Sequence, residues 1–332
     1  MIRYSISDTM PLFGMPFSSE GVNRLPECLR DRVSGNLWEC AASQSGARLC
    51  FMSDTTLFGL SGTFPDALGT HNMHVRGRAG LDVYIDGGYA GAFFPTAPGH
   101  AESVIIERLP RALRRYTVYL PIYGRVDSLR VLLDDDAALL PPPPFARALP
   151  AVFYGTSITQ GGCASHPALS YPAWLCRDLN LDFVNLGFSG LGRGERVVAE
   201  QVAGIPASCY VLDFVQNNPT IEEFEEAYYR FYHILRDKNP DTPVVMTAAI
   251  PYAGEGLSQE FIVKQTARRR IAHDAYERGL AGGDKNLHMM DWYQALDFGR
   301  GDAQVDGAHP NDYGFFLMKE ALKPLLKQIL SL

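Results

Sequence analysis

The chain has 332 residues and a formal net charge of −7; 46% of its residues are hydrophobic and 20% are charged. This length predicts two domains, and the balance is that of a globular protein with enough apolar residues to build large cores. The negative charge argues against a nucleic-acid partner, since such binders usually carry a basic face. No apolar run approaches the length of a membrane span, so we expect no membrane partner either.

The N-terminal residues contain no basic segment followed by an apolar core, which is the pattern of a secretory signal, and we therefore expect a cytoplasmic protein. The six cysteines are scattered without CxxC spacing. In a chain that is not exported, this distribution favours free thiols over disulfides or metal ligands. The sequence leaves open whether the protein is a monomer or a homo-oligomer.

Residues 1–140 are predicted to form an all-β sandwich of the jelly-roll type. Short segments with period-two alternation recur about every ten residues and are separated by turn-forming residues. Asp86-Gly87-Gly88 lies between two such segments and predicts a hairpin turn. The run Pro141-Pro-Pro-Pro144 cannot continue a central strand or a helix, and residues 141–148 are predicted to be a linker between the domains.

Residues 149–332 are predicted to form a three-layer α/β domain. Apolar runs at 151–154, 183–186, 209–214, 243–250 and 287–290 alternate with helical patterns near 170–179, 195–203, 220–238, 258–280 and 312–331. This alternation is typical of a parallel sheet with helices on both faces. Asn218 before Pro219 predicts the start of one helix, and Asn311 or Asp312 predicts the start of the last one.

Ser157 is the first candidate catalytic residue, because it follows the apolar segment Ala151–Tyr154 and a glycine by two residues. Open α/β sheets bind ligands at the carboxyl ends of their strands, where this turn would expose a hydroxyl group. A serine in this position can also be a plain turn former or helix cap. A serine nucleophile needs a base and a group that orients the base, and His309 and Asp306 lie in a predicted loop after the fifth strand.

A serine nucleophile also needs donors for the oxygen that becomes negative in the tetrahedral intermediate. The backbone N–H groups of Ser157 and Gly187 and the side-chain amide of Asn217 could meet at one point, because each residue follows a predicted strand. Each also has a purely structural interpretation: Gly187 as an ordinary loop glycine and Asn217 as a turn residue. His309 could similarly be a surface loop residue, and Asp306 could only shape a turn.

At these residues the chain resembles the SGNH hydrolases, also called GDSL esterases. Gly155-Thr-Ser157-Ile-Thr is similar to the first sequence block of that family, with Thr156 in place of the usual aspartate, and Asn185-Leu-Gly187 is similar to the second. Val215-Gln216-Asn217-Asn218 stands where the third block commonly has Gly-x-Asn-Asp, and it lacks the glycine and the aspartate. Asp306-Gly-Ala-His309 is similar to the last block, Asp-x-x-His.

The resemblance implies that Ser157 is the nucleophile, His309 the base and Asp306 the residue that orients it. It also implies that the oxyanion hole contains Ser157, Gly187 and Asn217. The first domain shares motifs with a subset of these enzymes in Arg24-Leu-Pro26, Gly80-Leu-Asp-Val-Tyr84 and Tyr119-Leu-Pro-Ile-Tyr-Gly124. By analogy, this subset points to carbohydrate esterases that remove acetyl groups, with an acetylated sugar as the substrate.

The mechanism requires no metal and no organic cofactor. Thr156 and Arg193 are additional candidates for substrate contact, Arg193 because it lies in the glycine-rich segment Gly190–Gly194. Three alternatives remain open at this stage: an acyltransferase that uses the same acyl-enzyme, a sugar-binding protein without activity, and a nucleotide-binding domain. The nucleotide-binding alternative is disfavoured because the chain has neither GxGxxG nor a Walker sequence.

Overall fold

The computed structural model describes residues 1–6, 9–18, 23–298 and 301–332. The first part of the chain forms two antiparallel sheets that share one hydrophobic core. Its elements are β1 (Ile2–Ser5), β2 (Leu12–Phe13), α1 (Gly35–Ala41), β3 (Arg48–Ser53), β4 (Phe58–Phe64), α2 (Val75–Ala79), β5 (Leu81–Ile85), β6 (Gly88–Phe93), β7 (Gly99–Ile106), β8 (Arg114–Tyr119), β9 (Asp127–Leu133) and β10 (Leu139–Leu140).

The two sheets are stacked as a sandwich, as the sequence predicts. One sheet has the order β1-β9-β4-β7, and the other has the order β10-β3-β8-β5-β6, with β2 beside β3. Their inward side chains, such as Phe51, Leu60 and Val131, are fully buried against one another. The predicted hairpin is confirmed: Asp86 and Gly87 join β5 to β6 with φ values of 49° and 81°, the left-handed pair that a type I′ turn requires.

The second part of the chain is a three-layer α/β domain, which confirms the predicted fold class. Its parallel sheet has the strand order β12-β11-β13-β14-β15. The elements are β11 (Ala151–Gly155), α3 (Ser157–Gln160), α4 (Tyr171–Asp178), β12 (Phe183–Gly187), α5 (Arg196–Val202), β13 (Cys209–Asp213), α6 (Ile221–Lys238), β14 (Val244–Ala248), α7 (Gln259–Ala281), β15 (Leu287–Asp291), α8 (Trp292–Ala295) and α9 (Asp312–Leu330).

Alternate residues of the central strand β11 enter two different cores, because successive side chains in a strand point to opposite faces. Val152 and Tyr154 pack against α5, α6 and α7, while Ala151 and Phe153 pack against α4 and α9. The first of these cores also contains Leu37, from α1 of the first part of the chain. No helix of the described residues is both long and apolar enough to cross a membrane.

The predicted starts of two helices have different outcomes. Asn311 caps α9 by accepting a hydrogen bond from the Gly314 N–H, as expected. Asn218 does not cap α6; this prediction is wrong, because Thr220 and Glu223 form a complete capping box there. The Asn218 side chain instead donates to the carbonyl oxygen of Arg193 at 2.9 Å and so ties two loops together at the carboxyl edge of the sheet.

Candidate active site

Ser157 lies at the carboxyl end of β11, where it is the first residue of the short helix α3. Thr156 precedes that helix in an extended conformation, and its hydroxyl accepts a hydrogen bond from the Ile158 N–H at 3.3 Å. The expectation that Thr156 contacts substrate is therefore wrong: its side chain caps the helix, and the residue is only 1% exposed. Thr156 fixes the direction in which Ser157 leaves the strand.

His309 reaches Ser157 from the loop that precedes α9, 152 residues further along the chain. The Ser157 Oγ and His309 Nε2 atoms are 2.9 Å apart, and His309 Nδ1 is 2.8 Å from Asp306 Oδ2. A carboxylate can only accept, so Nδ1 carries the proton and Nε2 is free to accept one from the serine hydroxyl. The structure thus joins the three predicted residues in one hydrogen-bonded chain.

Asp306 is held as an anion. Partial burial raises its pKa, but hydrogen bonds from the His309 backbone N–H, from Asn72 and from the His309 ring outweigh that effect and keep the pKa well below its usual range. The Asn72 side-chain amide donates to Asp306 Oδ2 at 3.0 Å, and the Ala308 N–H donates to the other carboxylate oxygen at 3.2 Å. Sequence reasoning missed Asn72, which belongs to the sandwich domain and carries no motif.

Gly187 is not an available oxyanion donor, which corrects the sequence-based assignment. Its N–H is already donated to the Asn185 side chain at 2.9 Å, and the residue is fully enclosed. A side chain at Gly187 would place a Cβ atom 2.2 Å from the backbone nitrogen of Gln160. The glycine therefore allows β12 and the serine-bearing helix to approach each other closely.

The loop after Gly187 is tied to the helix α3, which begins with Ser157. The Ser189 N–H donates to the Gln160 side chain at 2.9 Å, which ties this loop to α3. The Asn217 amide lies 3.4 Å from the Phe188 carbonyl oxygen, on the same loop. Gly190 follows with a φ of 71° and is exposed, and a Cβ there would meet open space. The structure thus brings Asn217 beside the loop that leads to Gly190.

Arg193 is exposed in the same loop, where its Nε atom donates to the Gly190 carbonyl oxygen at 3.2 Å. Its contact with substrate stays a prediction.

Two further side chains from the segment after α3 lie near the site. Cys163 has a left-handed φ of 77°, and its Sγ lies within 4.8 Å of ligating atoms of Asp306 and His309. Burial and the nearby Asp306 charge raise the pKa of this thiol to about 12, so it stays protonated at neutral pH. His166 bonds to the buried Asp82 of the sandwich at 2.6 Å and thereby links the two parts of the chain.

Comparisons with known families cover most of the chain. Residues 148–327 match the model of the GDSL-like lipase/acylhydrolase family. Residues 7–139 match the model described as the N-terminus of SGNH-hydrolase-type esterases, known as GxDLY. In this chain the corresponding motif is Gly80-Leu-Asp-Val-Tyr84, within and just before β5. No curated protein sequence matches the chain.

Solved structures share the whole two-part architecture. A protein from Bacteroides ovatus described as a GDSL-like lipase superposes with a TM-score of 0.88 at 29% identity, over 97% of this chain and 96% of that chain. The salicylyl-acyltransferase SsfX3 from a tetracycline biosynthetic pathway gives 0.82 at 20% identity, over 99% and 97%. A family two carbohydrate esterase from Clostridium thermocellum gives 0.65 at 15% identity, over 87% and 94%. The last two likenesses concern the fold alone.

Proposed function

The chain belongs to the GDSL-like lipase/acylhydrolase family, and from that premise we propose that it is a serine esterase for short acyl esters, with acetylated carbohydrates as its substrates. The observation that carries the proposal is the chain of hydrogen bonds from Ser157 through His309 to Asp306, with separations of 2.9 and 2.8 Å. These are the distances at which a base can take the proton of a nucleophile.

The reaction would proceed in two halves. His309 Nε2 takes the hydroxyl proton as Ser157 Oγ bonds to the ester carbonyl carbon, and the same nitrogen then gives the proton to the leaving alcohol. Water attacks the acyl-enzyme in the second half, and the proton returns to Ser157 when the acid leaves. Asp306 remains ionised throughout and stabilises the imidazolium that forms in each half.

The negative oxygen of the intermediate would be stabilised by donors from three segments. Ser157 contributes its own N–H, because the first residue of a helix has no intrahelical acceptor for that group. Asn217 contributes its side-chain amide. The third donor would be the N–H of Gly190 rather than that of Gly187, since the latter is occupied by Asn185.

The surroundings of Ser157 support the proposal that the substrate carries a short acyl group. Ser157 is only 8% exposed, which favours a small acyl group over a long chain. Support for a carbohydrate carrier comes from the fold shared with the Clostridium thermocellum esterase. Tyr89, at the sandwich surface, is 48% exposed and packs on His166 with ring centres 5.1 Å apart, which is suitable for stacking on a sugar.

Replacing the nucleophile tests the proposal directly. Ser157→Ala should lower kcat for p-nitrophenyl acetate by about 10⁶-fold, because no other group can form the acyl-enzyme. Ser165→Ala changes an exposed serine eight residues away and should leave kcat unchanged. Retention of more than a few per cent of the activity in Ser157→Ala would refute the assignment of Ser157 as the nucleophile.

A second measurement identifies the molecule that carries the acyl group and the group that accepts it from the acyl-enzyme. A panel of p-nitrophenyl esters of increasing chain length and of acetylated sugars should show the highest kcat/KM for acetyl groups. Adding free sugars or alcohols measures how the acyl-enzyme partitions between water and another hydroxyl group. Fast transfer with negligible hydrolysis would show that the protein is an acyltransferase and not an esterase.

A further inference from the structure

A cavity of about 360 Å³ lies between the sandwich and the α/β domain, away from Ser157. One wall is the outer face of the second sandwich sheet, with Arg48 on β3 and Arg115 on β8. The opposite wall is formed by Arg177 of α4 and Phe183 of β12, and Phe145 of the connecting segment closes one side. A cavity of this size is within the range that holds small-molecule ligands.

The three guanidinium groups in this cavity outnumber the two carboxylates beside them, which are Asp86 in the lining and Asp182 next to Arg48. Arg48 pairs with Asp182, but within the described part of the chain neither Arg115 nor Arg177 has an ion-pair partner. Arg115 donates one N–H to the Asn180 side chain at 2.8 Å, and Arg177 donates to the Ala168 carbonyl oxygen at 2.8 Å. Carbonyl oxygens satisfy hydrogen bonds but do not cancel the positive charge.

One donor of the Arg115 guanidinium has no acceptor within the described part of the chain. The Nε atom of Arg115 is buried and has no hydrogen-bond partner among the residues that the structure describes. Leaving a buried donor of a charged group unsatisfied is costly, and few such atoms persist in native proteins. The chain therefore does not fully satisfy the guanidinium of Arg115, a residue that lines the cavity.

Two aromatic rings of the cavity walls stack against its arginines. The Arg48 guanidinium carbon lies 4.2 Å from the centre of the Phe183 ring, and that of Arg177 lies 4.3 Å from the centre of the Tyr84 ring. Guanidinium groups held in this way match the geometry of a carboxylate or a phosphate.

This cavity is not the catalytic cleft. Phe183 begins β12 and Gly187 ends it, so about 13 Å of strand separates the cavity from the end of the sheet that carries the serine. A ligand here would contact both parts of the chain and the segment that connects them. It would therefore stabilise their relative arrangement rather than take part in the reaction.

We propose that the cavity binds a small anion, in which a carboxylate or phosphate group accepts hydrogen bonds from Arg115 and Arg177. The proposal is independent of the esterase activity, since none of its residues contacts the serine, the histidine or the candidate oxyanion donors.

The test is titration of the full chain with sodium phosphate and with sodium benzoate, followed by calorimetry and by thermal unfolding. Sodium chloride at matched ionic strength corrects for general screening. Arg115→Gln should weaken binding at least about tenfold, as the loss of one charged fork predicts. Arg114→Gln is the matched control, because it removes the same charge from the neighbouring position of β8, whose side chain points to the opposite face of the sheet.

The expected result is a saturable rise in Tm for the wild type and Arg114→Gln, and a rise in Arg115→Gln that needs at least about tenfold more anion, with unchanged turnover of p-nitrophenyl acetate in all three. Saturation by phosphate alone assigns a phosphate ligand, and saturation by benzoate alone assigns a carboxylate. If Arg115→Gln does not fold, Arg177→Gln takes its place. The proposal is overturned if neither anion binds beyond the chloride control, or if the cavity variant binds as tightly as Arg114→Gln.

Discussion

The carboxylate that orients the candidate base is itself held by a side chain from the other part of the chain. Asn72 donates to the same oxygen of Asp306 that faces His309 Nδ1, and the Asn72 carbonyl oxygen in turn accepts from the Thr70 hydroxyl at 3.1 Å. The amide thus has a fixed orientation, with its donor directed at Asp306. The sandwich domain in this way extends the catalytic chain by one residue.

Removing this amide should slow the reaction without weakening substrate binding. We expect Asn72→Ala to lower kcat about tenfold, because a hydrogen bond to a charged group contributes about 1.5–3 kcal/mol and Asp306 would lose part of its orientation. KM for p-nitrophenyl acetate should change little, since Asn72 is placed to contact Asp306 rather than the ester. His71→Ala, at the exposed neighbouring position, is the control. Equal kcat values in the two variants would show that Asn72 has no positioning role.

At the scale of elements, the site depends on how closely the strand β12 approaches the helix α3. A Cβ at Gly187 would lie 2.2 Å from the backbone nitrogen of Gln160 and 2.8 Å from the carbonyl oxygen of Thr156. Both contacts are with backbone atoms that flank Ser157, so they cannot be relieved by moving a flexible side chain.

Gly187→Ala should therefore destabilise the fold and displace the nucleophile. We expect a loss of about 3 kcal/mol in the free energy of unfolding, as for other overpacked cores, together with reduced kcat. Urea denaturation measures the first effect. Gly35→Ala is the matched control: Gly35 is the first residue of α1, where a Cβ meets open space, and the change should be neutral or slightly stabilising. A wild-type unfolding midpoint for Gly187→Ala would contradict the close approach.

The elements of the α/β domain were predictable from the sequence, because each strand of the sheet is a mostly apolar run. The predicted runs at 151–154 and 183–186 became β11 and β12 with one added residue each. Such a pattern does not show which atom accepts the hydrogen bond of a backbone N–H group. The sequence therefore predicts Gly187 as an oxyanion donor, although its N–H group is already bonded to the Asn185 side chain in the folded protein.

Contacts between distant segments were the least predictable part of the site. Ser157 and His309 could be paired because acyl transfer requires both residue types, although 152 positions separate them. Asn72 and Asp306 are 234 positions apart, and no chemical requirement calls for an amide at that point. Periodicity carries no information about such a contact, because it depends on how the two parts of the chain pack together.

At the scale of the whole molecule, the two parts of the chain do not have separate interiors. Leu25, Leu29 and Leu37 precede the sandwich strands β3–β10, yet they are buried in the same core as the α/β sheet. Arg24 lies beside them, fully buried, and its guanidinium donates to the carbonyl oxygens of Ser43 and Gly187 at 2.9 and 2.6 Å. It therefore joins the N-terminal segment to the end of β12.

The Arg24 guanidinium is charged at neutral pH despite its position. Burial lowers its pKa to about 10, which still leaves it protonated. The cost of burying this charge is offset by donation to five acceptor atoms and by the Phe188 ring, whose centre lies 4.7 Å from the guanidinium carbon. A planar fork can satisfy acceptors on opposite sides at once, whereas an ammonium group presents its donors from a single point.

Arg24→Lys keeps the charge and removes the fork, so it tests whether this one side chain joins the two parts of the molecule. We expect the free energy of unfolding to fall by about 3 kcal/mol, because a lysine would leave several buried carbonyl oxygens without donors. The value of kcat should fall as well, since Gly187 and Phe188 lead directly into the loop beside Ser157. Arg32→Lys, at an exposed position of the same segment, should change neither quantity. Urea denaturation of both variants measures the difference, and a loss below about 0.5 kcal/mol for Arg24→Lys would mean that the other contacts between the two parts hold them together without this fork.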